Sequence, residues 1–491
     1  MFVKISHLYA ENFPQLTAPF RPIWGPKASI LLVDDKLAAQ LNLSPDEILA
    51  ALQSDDVAEK TVAMLYAGHQ FGQFNPRMGD GRAALLGEVS GQNGMMFDLH
   101  LKGSGATPYA RGGDGKAGLG PVLREFLMAR AMAALDVPTT GSLAVIETGE
   151  QIWRDVPQPG PVPGAILVRS AASHLRVGHV QYIATMGDDA LLSRFIEYVL
   201  NRHNMRADAH ENMALSLLQN VMERQAALIA KWMSIGFVHG VMNTDNMTLS
   251  GETIDYGPCA FLDEYNPASV FSSIDRRGRY AYGQQPAIGG WNLARLAEAM
   301  LSIIDDNVET AIEKAQSVLS GYTALYDAAW RDLFAQKIGL FEVHKDDGDL
   351  IKELLTLLAK HRVDFTQFFA ELGPIFLGEK KRDADNFAAG HFGMDLAVWY
   401  EWKNAWQSRR DLESMDEIRI LDVMRRANPL RIARNHHVEA AINAYIYKGD
   451  DGPFKALYAA LSNPFEQREE WDIFDAPPQM NSPPFQSFCG T

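Results

Sequence analysis

The densest group of residues that could do chemistry lies in a short segment, residues 239–257, which contains His239, Asp245, Asn246 and Asp255. The segment joins two apolar runs, so the pattern predicts a polar loop between buried elements. An amide and a carboxylate supply hard oxygen ligands, the type that Mg²⁺ prefers alongside phosphate oxygens. The chemistry indicated is therefore a reaction at a phosphate group that is assisted by a bound metal ion. The alternative is a loop whose acidic residues only form turns.

The order of these residues is typical of one pair of loops. A His-Gly dipeptide, an Asn seven residues after the His and a later Asp-x-Gly form the pattern of a protein-kinase catalytic loop and metal loop. The third residue of such a loop is the catalytic Asp, but here it is Val241, and the nearby carboxylate is Asp245. The segment therefore predicts a kinase-like site that lacks the usual base.

A kinase-like site also needs a lysine on a strand and a glutamate on a helix. Residues 97–102 alternate apolar and polar side chains and predict a strand that ends at Lys102. After a loop with seven glycines, a helix is predicted from Pro121, with Glu125 on its apolar face. A buried carboxylate is costly unless it is paired, so Lys102 is its candidate partner. The alternative is that Glu125 reaches solvent.

Two further groups of residues are candidates for contact with phosphates. Gly79, Gly81 and Arg82 precede a predicted strand, where backbone amides and a guanidinium could approach a phosphate. Arg169 and Arg176 lie at and beyond the end of another predicted strand, and guanidinium forks match phosphate oxygens well. The alternatives are an ordinary turn for the glycines and surface charges for the arginines.

The elements that would position these residues follow from the periodicity of the apolar residues. The sequence predicts helices over residues 28–60 and a hairpin over 143–154 that turns near Gly149. A long apolar helix would end at Gly236 and lead into the loop of His239. Strands are predicted at 83–89, 97–102 and 165–169, and mostly helices over 291–470.

Composition bounds the class of protein. A chain of 491 residues is too long for one core and suits two or three packed units. The net charge of −16 opposes nonspecific binding to nucleic acid or to an anionic membrane, because both are negatively charged. No apolar run approaches the length needed to span a bilayer, and two cysteines exclude a disulfide framework. Residues 1–22 have the features of neither a signal nor a transit peptide, so we expect a cytoplasmic protein.

Six stretches make the sequence recognisable when they are taken together. They are Tyr-Ala-Gly-His-Gln-Phe-Gly-Gln-Phe at 66–74, Gly-Asp-Gly-Arg at 79–82, Leu-Lys-Gly-Ser-Gly-Ala-Thr-Pro-Tyr-Ala-Arg at 101–111, Arg-Glu-Phe-Leu at 124–127, Val-His-Gly-Val-Met-Asn-Thr-Asp-Asn-Met at 238–247 and Ile-Asp-Tyr-Gly-Pro at 254–258. With these stretches the chain resembles the selenoprotein O family, kinase-like proteins that act as protein adenylyltransferases. The resemblance covers essentially the whole chain.

The resemblance implies a particular site. In that family the nucleotide is inverted relative to a kinase, so the α-phosphate is attacked and pyrophosphate leaves. By motif, Asp245 is the implied base, and Asn246 and Asp255 are the implied ligands of Mg²⁺, with Mn²⁺ as the alternative cation. Lys102 and Glu125 would form the structural ion pair. The residues implied to hold ATP are Gly79, Gly81, Arg82, Lys102, Asp114, Gly115, Arg169 and Arg176.

The cysteines mark a departure from many members of the family. Those members have selenocysteine third from the C-terminus, where this chain has Cys489. A thiol is a poorer redox nucleophile at neutral pH because less of it is ionised. The redox-active tail residue of the family implies a bridge between Cys489 and Cys259, which would lower activity. The alternative is that both thiols are free.

The sequence therefore predicts an α+β, two-lobed protein-kinase-like fold with a long helical C-terminal extension. A strand-rich lobe with an N-terminal extension would span 1–178, a helical lobe with both loops 179–300, and the extension with its tail 301–491. The predicted activity is Mg²⁺-dependent transfer of AMP from ATP to Ser, Thr or Tyr hydroxyls of protein substrates, by a monomer. The alternatives are γ-phosphoryl transfer to a small molecule or protein, and a nucleotide-binding pseudokinase that only recruits partners.

Overall fold

The strands of the main sheet all lie before residue 172, and most of the later chain is helical. The structure is a computed structural model that describes residues 4–155, 159–376, 384–392, 396–479 and 485–487. The strands are β1 (Thr17–Pro19), β2 (Ser29–Val33), β3 (Val62–Met64), β4 (Gly68–Gln70), β5 (Gln73–Asn75), β6 (Ala83–Ser90), β7 (Met96–Lys102), β8 (Ala117–Gly118), β9 (Gly141–Arg154), β10 (Gly160–Ala171), β11 (Phe237–Val238) and β12 (Ala260–Phe261). The helices are α1 (Leu8–Asn12), α2 (Asp35–Gln40), α3 (Ile48–Leu52), α4 (Asp55–Lys60), α5 (Leu119–Ala134), α6 (Val177–Met186), α7 (Asp189–Arg202), α8 (Met213–Ser234), α9 (Gln285–Glu298), α10 (Leu301–Ile304), α11 (Val308–Leu319), α12 (Tyr322–Lys337), α13 (Asp347–His361), α14 (Phe365–Phe376), α15 (Ala384–Phe392), α16 (Leu396–Arg410), α17 (Glu417–Ala427), α18 (Asn435–Lys448) and α19 (Gly452–Leu461).

The main sheet is antiparallel and has the order β1-β3-β6-β7-β10-β9-β2, with β8 paired to β10. Strand β7 is therefore central, and its side chains are buried on both faces. Leu99 and Leu101 join an apolar core that also contains residues of α2 and α3. The polar face of β7, which ends at Lys102, is buried as well: Asp98 and Lys102 form ion pairs with Arg202 and Glu125, and His100 is hydrogen-bonded to Asp80.

Helix α5 packs against β9 and β10 and brings Glu125 to the sheet. It begins at Leu119, two residues before the predicted start at Pro121. A proline is tolerated there because the first-turn N–H groups have no partner within a helix. The three strands predicted at 83–89, 97–102 and 165–169 are present as β6, β7 and part of β10.

Two predictions about the strand-rich region are wrong. Residues 143–154 do not form a hairpin, because β9 runs unbroken from Gly141 to Arg154. The glycine signal belongs to a β-bulge: Gly149 has φ +73, and the β9–β10 register shifts between Pro163 and Ala165. Residues 28–60 are not all helical, since Ser29–Val33 is an edge strand on β9.

The helical part surrounds α8, whose C-terminal end leads through β11 into the loop of His239. The C-terminal extension packs around three stacked indoles, those of Trp399, Trp402 and Trp406, with centroids 5.4 and 5.6 Å apart. These tryptophans are core residues, as helical spacing predicts. The division of the chain at residues 178 and 300 stays a prediction.

Candidate active site

The strand lysine and the helix glutamate lie together. Lys102 ends β7, and its Nζ lies 2.6 Å from Oε2 of Glu125 on α5. Lys102 is 8% exposed and Glu125 is 3% exposed. The alternative in which Glu125 reaches solvent is therefore wrong.

Two more residues complete this group of charges. Arg169 in β10 donates from Nε to Oε1 of Glu125 at 2.9 Å and makes a second contact through Nη2. Oδ1 of Asp255 lies 2.5 Å from Nζ of Lys102 and 3.5 Å from Nη2 of Arg169. We call these four residues the Lys102 cluster. Burial alone would raise the pKa of both carboxyls, but Lys102 and Arg169 hold the pKa of Glu125 and Asp255 below the usual range.

Asp255 has an unusual backbone conformation that is fixed from both sides. Its φ is +67, a left-handed conformation that residues other than glycine rarely adopt. Nε2 of His239 lies 2.9 Å from the carbonyl oxygen of Ile254, and the hydroxyl of Tyr256 contacts that of Thr139. A strained backbone conformation persists only where several surrounding contacts hold it in place, and such residues cluster at functional sites. The contacts of the two neighbours therefore set the direction of the Asp255 carboxylate.

Asp245 and Asn246 lie in the 3₁₀ turn Thr244–Asn246. Nδ2 of Asn246 donates to the carbonyl oxygen of Val241 at 3.0 Å, so Oδ1 is the atom that can ligate a cation. Asp245 is 7% exposed, and its Oδ1 has no hydrogen-bond partner among the described residues. Gly68 lies so close that a Cβ there would be 2.5 Å from this oxygen. Burial raises the pKa of Asp245 to about 6.

The hairpin β4–β5 is a site element to which the sequence assigned no role. It lies on the catalytic loop, where the backbone N–H of His69 donates to Oγ1 of Thr244 at 2.7 Å. The N–H of Phe71 donates to Oδ1 of Asn243 at 3.1 Å. The stretch 66–74 is distinctive in the sequence, but main-chain bonds to polar side chains leave no periodic signal.

Asp80 is a second residue that the sequence did not single out. Its Oδ2 lies 3.0 Å from Nε2 of His100 and accepts the N–H of Met64 at 3.1 Å. Its Oδ1 accepts the hydroxyl of Tyr66 at 3.0 Å and lies 3.6 Å from Nη1 of Arg176. Burial would raise the pKa of Asp80, but His100 and Arg176 hold it far below the usual range. In the sequence this residue resembles a turn aspartate, which is why its role was missed.

The glycines beside Asp80 are required by the packing of two loops. A Cβ at Gly79, where φ is +64, would lie 2.6 Å from the ring of Tyr109, and one at Gly81 would lie 3.0 Å from the Tyr109 carbonyl oxygen. Arg82 is close enough to Asp255 to lower the pKa of that carboxyl. The glycine turn therefore borders the Lys102 cluster through Arg82.

Asp114 and Gly115 lie at the far end of the glycine-rich loop. The carboxylate of Asp114 accepts two bonds from Arg154, at 2.8 and 3.1 Å. Gly115, with φ +65, passes so close to Gly105 that a Cβ would be 2.0 Å from its carbonyl oxygen. Within the described residues, no hydrogen bond or ion pair links Asp114 to the Lys102 cluster.

The two arginines predicted as a phosphate clamp have different surroundings. Arg169 is held by the carboxylates of Glu125 and Asp255. The guanidinium of Arg176 lies over the ring of Tyr66, 4.5 Å from its centroid, and its contact with Asp80 is longer, at 3.6 Å. Both are buried, so neither is the surface charge of the alternative interpretation.

Cys259 is buried beside the metal loop, and the tail is docked next to it. The thiol donates to the carbonyl oxygen of Tyr256 at 3.2 Å, and burial raises its pKa to about 12. Cys489 lies outside the described residues. Two residues before it, Oγ of Ser487 donates to the carbonyl oxygen of Pro258 at 2.8 Å.

The oxygen donors of the two loops fit a divalent cation that is shared with a nucleotide. Within the described residues, no group of three or more His, Cys, Asp or Glu side chains could hold a metal by itself. Asn246 and Asp255 supply one amide and one carboxylate oxygen from loops that His239 joins. Mg²⁺ is commonly held by one or two such protein ligands together with substrate phosphates.

An antiparallel sheet with a paired lysine and glutamate, followed by His-Gly and Asp-x-Gly loops in a helical region, defines an enzyme with a protein-kinase-like fold. Residues 18–462 match the family described as Protein adenylyltransferase SelO, and the chain belongs to that family.

Curated relatives match the chain along nearly its whole length. A protein of Rhodopseudomonas palustris (strain ATCC BAA-98 / CGA009), named Protein nucleotidyltransferase YdiU, is 45% identical over an alignment of 493 positions that covers 98% of this chain and 97% of the relative. The protein of the same name from Geobacillus kaustophilus (strain HTA426) is 46% identical and covers 99% of both chains. The one from Halalkalibacterium halodurans is 44% identical and covers 96% of this chain and 94% of its own.

The chain is therefore a nucleotidyltransferase that acts as a protein adenylyltransferase, with ATP as donor and proteins as acceptors. Among the described residues, no helix is both long enough and apolar enough to cross a membrane.

Proposed function

We propose that this enzyme transfers AMP from Mg²⁺-ATP to Ser, Thr or Tyr hydroxyls of proteins, with Asp245 as the general base. One observation carries the assignment of the base. Val241 stands where a kinase has its base, and four residues later the catalytic loop buries a carboxylate whose Oδ1 has no hydrogen-bond partner among the described residues. An acceptor with no proton donor of its own is suited to receive one from a substrate hydroxyl.

In the proposed reaction, Asp245 takes the proton of the acceptor hydroxyl. The oxygen of that hydroxyl forms a bond to the α-phosphorus, and the bond between this phosphorus and the bridging oxygen to the β-phosphate breaks. Pyrophosphate carries away the electron pair. The product is a phosphodiester between AMP and the protein, so atoms and charge balance without a redox step.

The cations of the site are proposed to hold the phosphates. Lys102 and Arg169 belong to the Lys102 cluster, and Arg82 borders it. Arg176 contacts Asp80, which lies in the glycine turn just before Arg82. The glycine turn and the end of the glycine-rich loop complete the proposed ATP-binding set: Gly79, Gly81, Asp114 and Gly115. Guanidinium and ammonium groups in a site with little water stabilise developing phosphate charge strongly.

Asn246 and Asp255 are proposed to hold Mg²⁺, or Mn²⁺ as the alternative cation. When bound, the cation would neutralise phosphate charge and orient the triphosphate. The residues present fit this role, because Oδ1 of Asn246 is left available by the bond of Nδ2 to Val241. In Asp255, Oδ1 contacts Lys102 and Arg169, so Oδ2 is the oxygen proposed to face the cation.

The test uses ATP labelled on either the α- or the γ-phosphate, a protein substrate mixture, and Mg²⁺ or Mn²⁺. We expect label on protein from α-labelled ATP alone, and loss of that label in Asp245→Asn. Label from γ-labelled ATP alone would establish phosphoryl transfer instead. Label from neither, with ATP bound, would support a scaffold and overturn the proposal.

We also propose that a Cys259–Cys489 disulfide restrains the metal loop. The docked tail supports this idea, because Ser487 is bonded to Pro258, the residue before Cys259. The raised pKa of the Cys259 thiol makes it a poor attacking group, so Cys489 would react first with a disulfide oxidant such as oxidised glutathione and release one reduced glutathione. Cys259 would then attack the sulfur of Cys489 in this mixed disulfide and release the second glutathione, which closes the bridge.

A further inference from the structure

A group of arginine and aromatic side chains lies beside the catalytic loop. It is partly contributed by the segment that follows the metal loop, and we call it the basic patch. The guanidinium of Arg279 lies 4.7 Å from the ring centroid of Trp291, and that of Arg295 lies 4.9 Å from the same ring. Arg276 and Arg277 are exposed. The members are Phe74, Arg276, Arg277, Arg279, Trp291 and Arg295.

The basic patch is joined to the proposed base by direct contacts. The ring of Trp291 lies edge-on to that of His69, with centroids 5.3 Å apart. His69 belongs to hairpin β4–β5, whose first residue, Gly68, lies over the carboxylate of Asp245. On the other side, Tyr280 donates its hydroxyl to Oδ1 of Asn243 at 2.6 Å. A polypeptide whose hydroxyl reaches the base would therefore run close to the patch.

The patch is positive in a chain that is negative overall. The net charge of the protein is −16. In the patch, two guanidinium groups lie on one indole, and Arg276 and Arg277 precede Arg279 in the same short segment. Arg295 pairs with Glu298, and within the described ranges no ion pair joins a carboxylate to Arg276, Arg277 or Arg279. Arg279 and Arg295 are held against an indole, so they lose little side-chain freedom when they bind a carboxylate.

We propose that the basic patch binds acidic residues that flank the acceptor hydroxyl of protein substrates. This inference rests on the proposed function, since it names the class of acceptor for the same site. The ring of Phe74, which is 44% exposed and packs against His69, offers an apolar contact on the hairpin that touches Trp291. A long nucleic acid is disfavoured as the occupant, because the negative charge of the rest of the protein would repel its extended backbone.

The test uses two fluorescent peptides with one acceptor tyrosine, flanked by Asp and Glu in the first and by Asn and Gln in the second. Binding is followed by anisotropy, and transfer by α-labelled ATP. We expect the protein to prefer the acidic peptide by ~3-fold to ~30-fold, because two exposed charge pairs form and each contributes modestly to binding. The preference should fall as salt rises.

The variant R276E/R277E should lose this preference through a higher KM for the acidic peptide, with kcat and the KM for ATP unchanged. R276K/R277K should keep most of it. The matched control is R425E/R426E, which reverses two adjacent exposed arginines on α17 and should behave as the unmodified protein.

Equal binding of both peptides by the unmodified protein would overturn the proposal, as would an equal loss in R425E/R426E. Tighter binding of a single-stranded RNA than of the acidic peptide, lost in R276E/R277E, would assign the patch to nucleic acid instead. If anisotropy shows the preference but neither peptide receives AMP from α-labelled ATP, the result would contradict the proposed function and still support acidic-peptide binding by the basic patch.

Discussion

Asp255 and Asp245 are the same residue type, ten positions apart, in opposite electrostatic surroundings. Asp255 contacts Lys102 and Arg169, and these cations hold the pKa of its carboxyl well below the usual range. Asp245 is buried with an unpartnered oxygen, and its pKa is raised to about 6. One carboxylate is kept charged by its neighbours, whereas the other binds a proton more readily.

The difference gives a physical rationale for the two roles proposed for these residues, a base at Asp245 and a metal ligand at Asp255. A carboxylate that must stay ionised suits a metal ligand, and one with a raised pKa suits proton transfer. The hairpin β4–β5 produces the second environment, because Gly68 covers the Asp245 carboxylate without donating a hydrogen bond to Oδ1. The Lys102 cluster produces the first.

The largest loss is expected for Asp255→Ala. Removing this ligand should abolish binding of the metal–nucleotide complex and lower activity by at least ~10³-fold, because the cation supplies several kcal/mol of charge stabilisation. Asn246→Ala should weaken both properties less, since one protein ligand remains. Calorimetric titration with Mg²⁺-ATP measures this, and unchanged affinity in Asp255→Ala would remove the residue from the site.

Asp245→Ala should bind ATP normally and lose turnover by roughly 10²–10⁴-fold, the usual contribution of a positioned base. Asp245→Asn is the matched variant that keeps the volume under Gly68. The measurement is kcat from α-labelled ATP together with ATP affinity. Normal turnover in either variant would reduce Asp245 to a structural loop residue.

Lys102→Ala and Glu125→Ala should each cost ~10-fold to ~10²-fold in kcat/KM, because a misplaced phosphate contact has effects of this size. The two residues touch, so the double variant should lose no more than the worse single variant. Glu125→Ala should also release Arg169, which Lys102→Ala leaves paired. A strictly additive double-mutant cycle would show that the two residues do not act as a unit.

The smallest change is expected from the cysteines. Treatment with a disulfide oxidant such as oxidised glutathione should lower activity a few-fold, and a dithiol reductant should restore it. Cys489→Ala should be active without reductant, and Cys259→Ala should be equally insensitive. Peptide mapping that finds both thiols free in the oxidised protein would rule out the Cys259–Cys489 disulfide.

The parts of this arrangement that depend on residues close together in the sequence could be predicted. The strand that ends at Lys102 and the helix with Glu125 on its apolar face are legible from periodicity, and the structure places the two side chains in contact. The bulge at Gly149 was misread, because a left-handed glycine serves a turn and a bulge equally.

Residues that act through contacts distant in the chain could not be found in this way. Asp80 bonds to His100 and Met64, and His69 bonds across 175 positions to Thr244. Their partners become visible only after the chain has folded. Arg169 was predicted as a phosphate contact, but its bonds to Glu125 require the register of β7 and β10.

The docked tail has a consequence for the order in which the protein is made. The bond between Ser487 and Pro258 spans 229 positions, so a ribosome completes the metal loop long before it adds the residue that braces it. Ser487 also pairs with the strand-like segment at Phe271 and Ser273. A nascent chain therefore carries the metal loop without this support while the next 229 residues are added. The brace can form only after Ser487 has emerged, 229 positions behind Pro258.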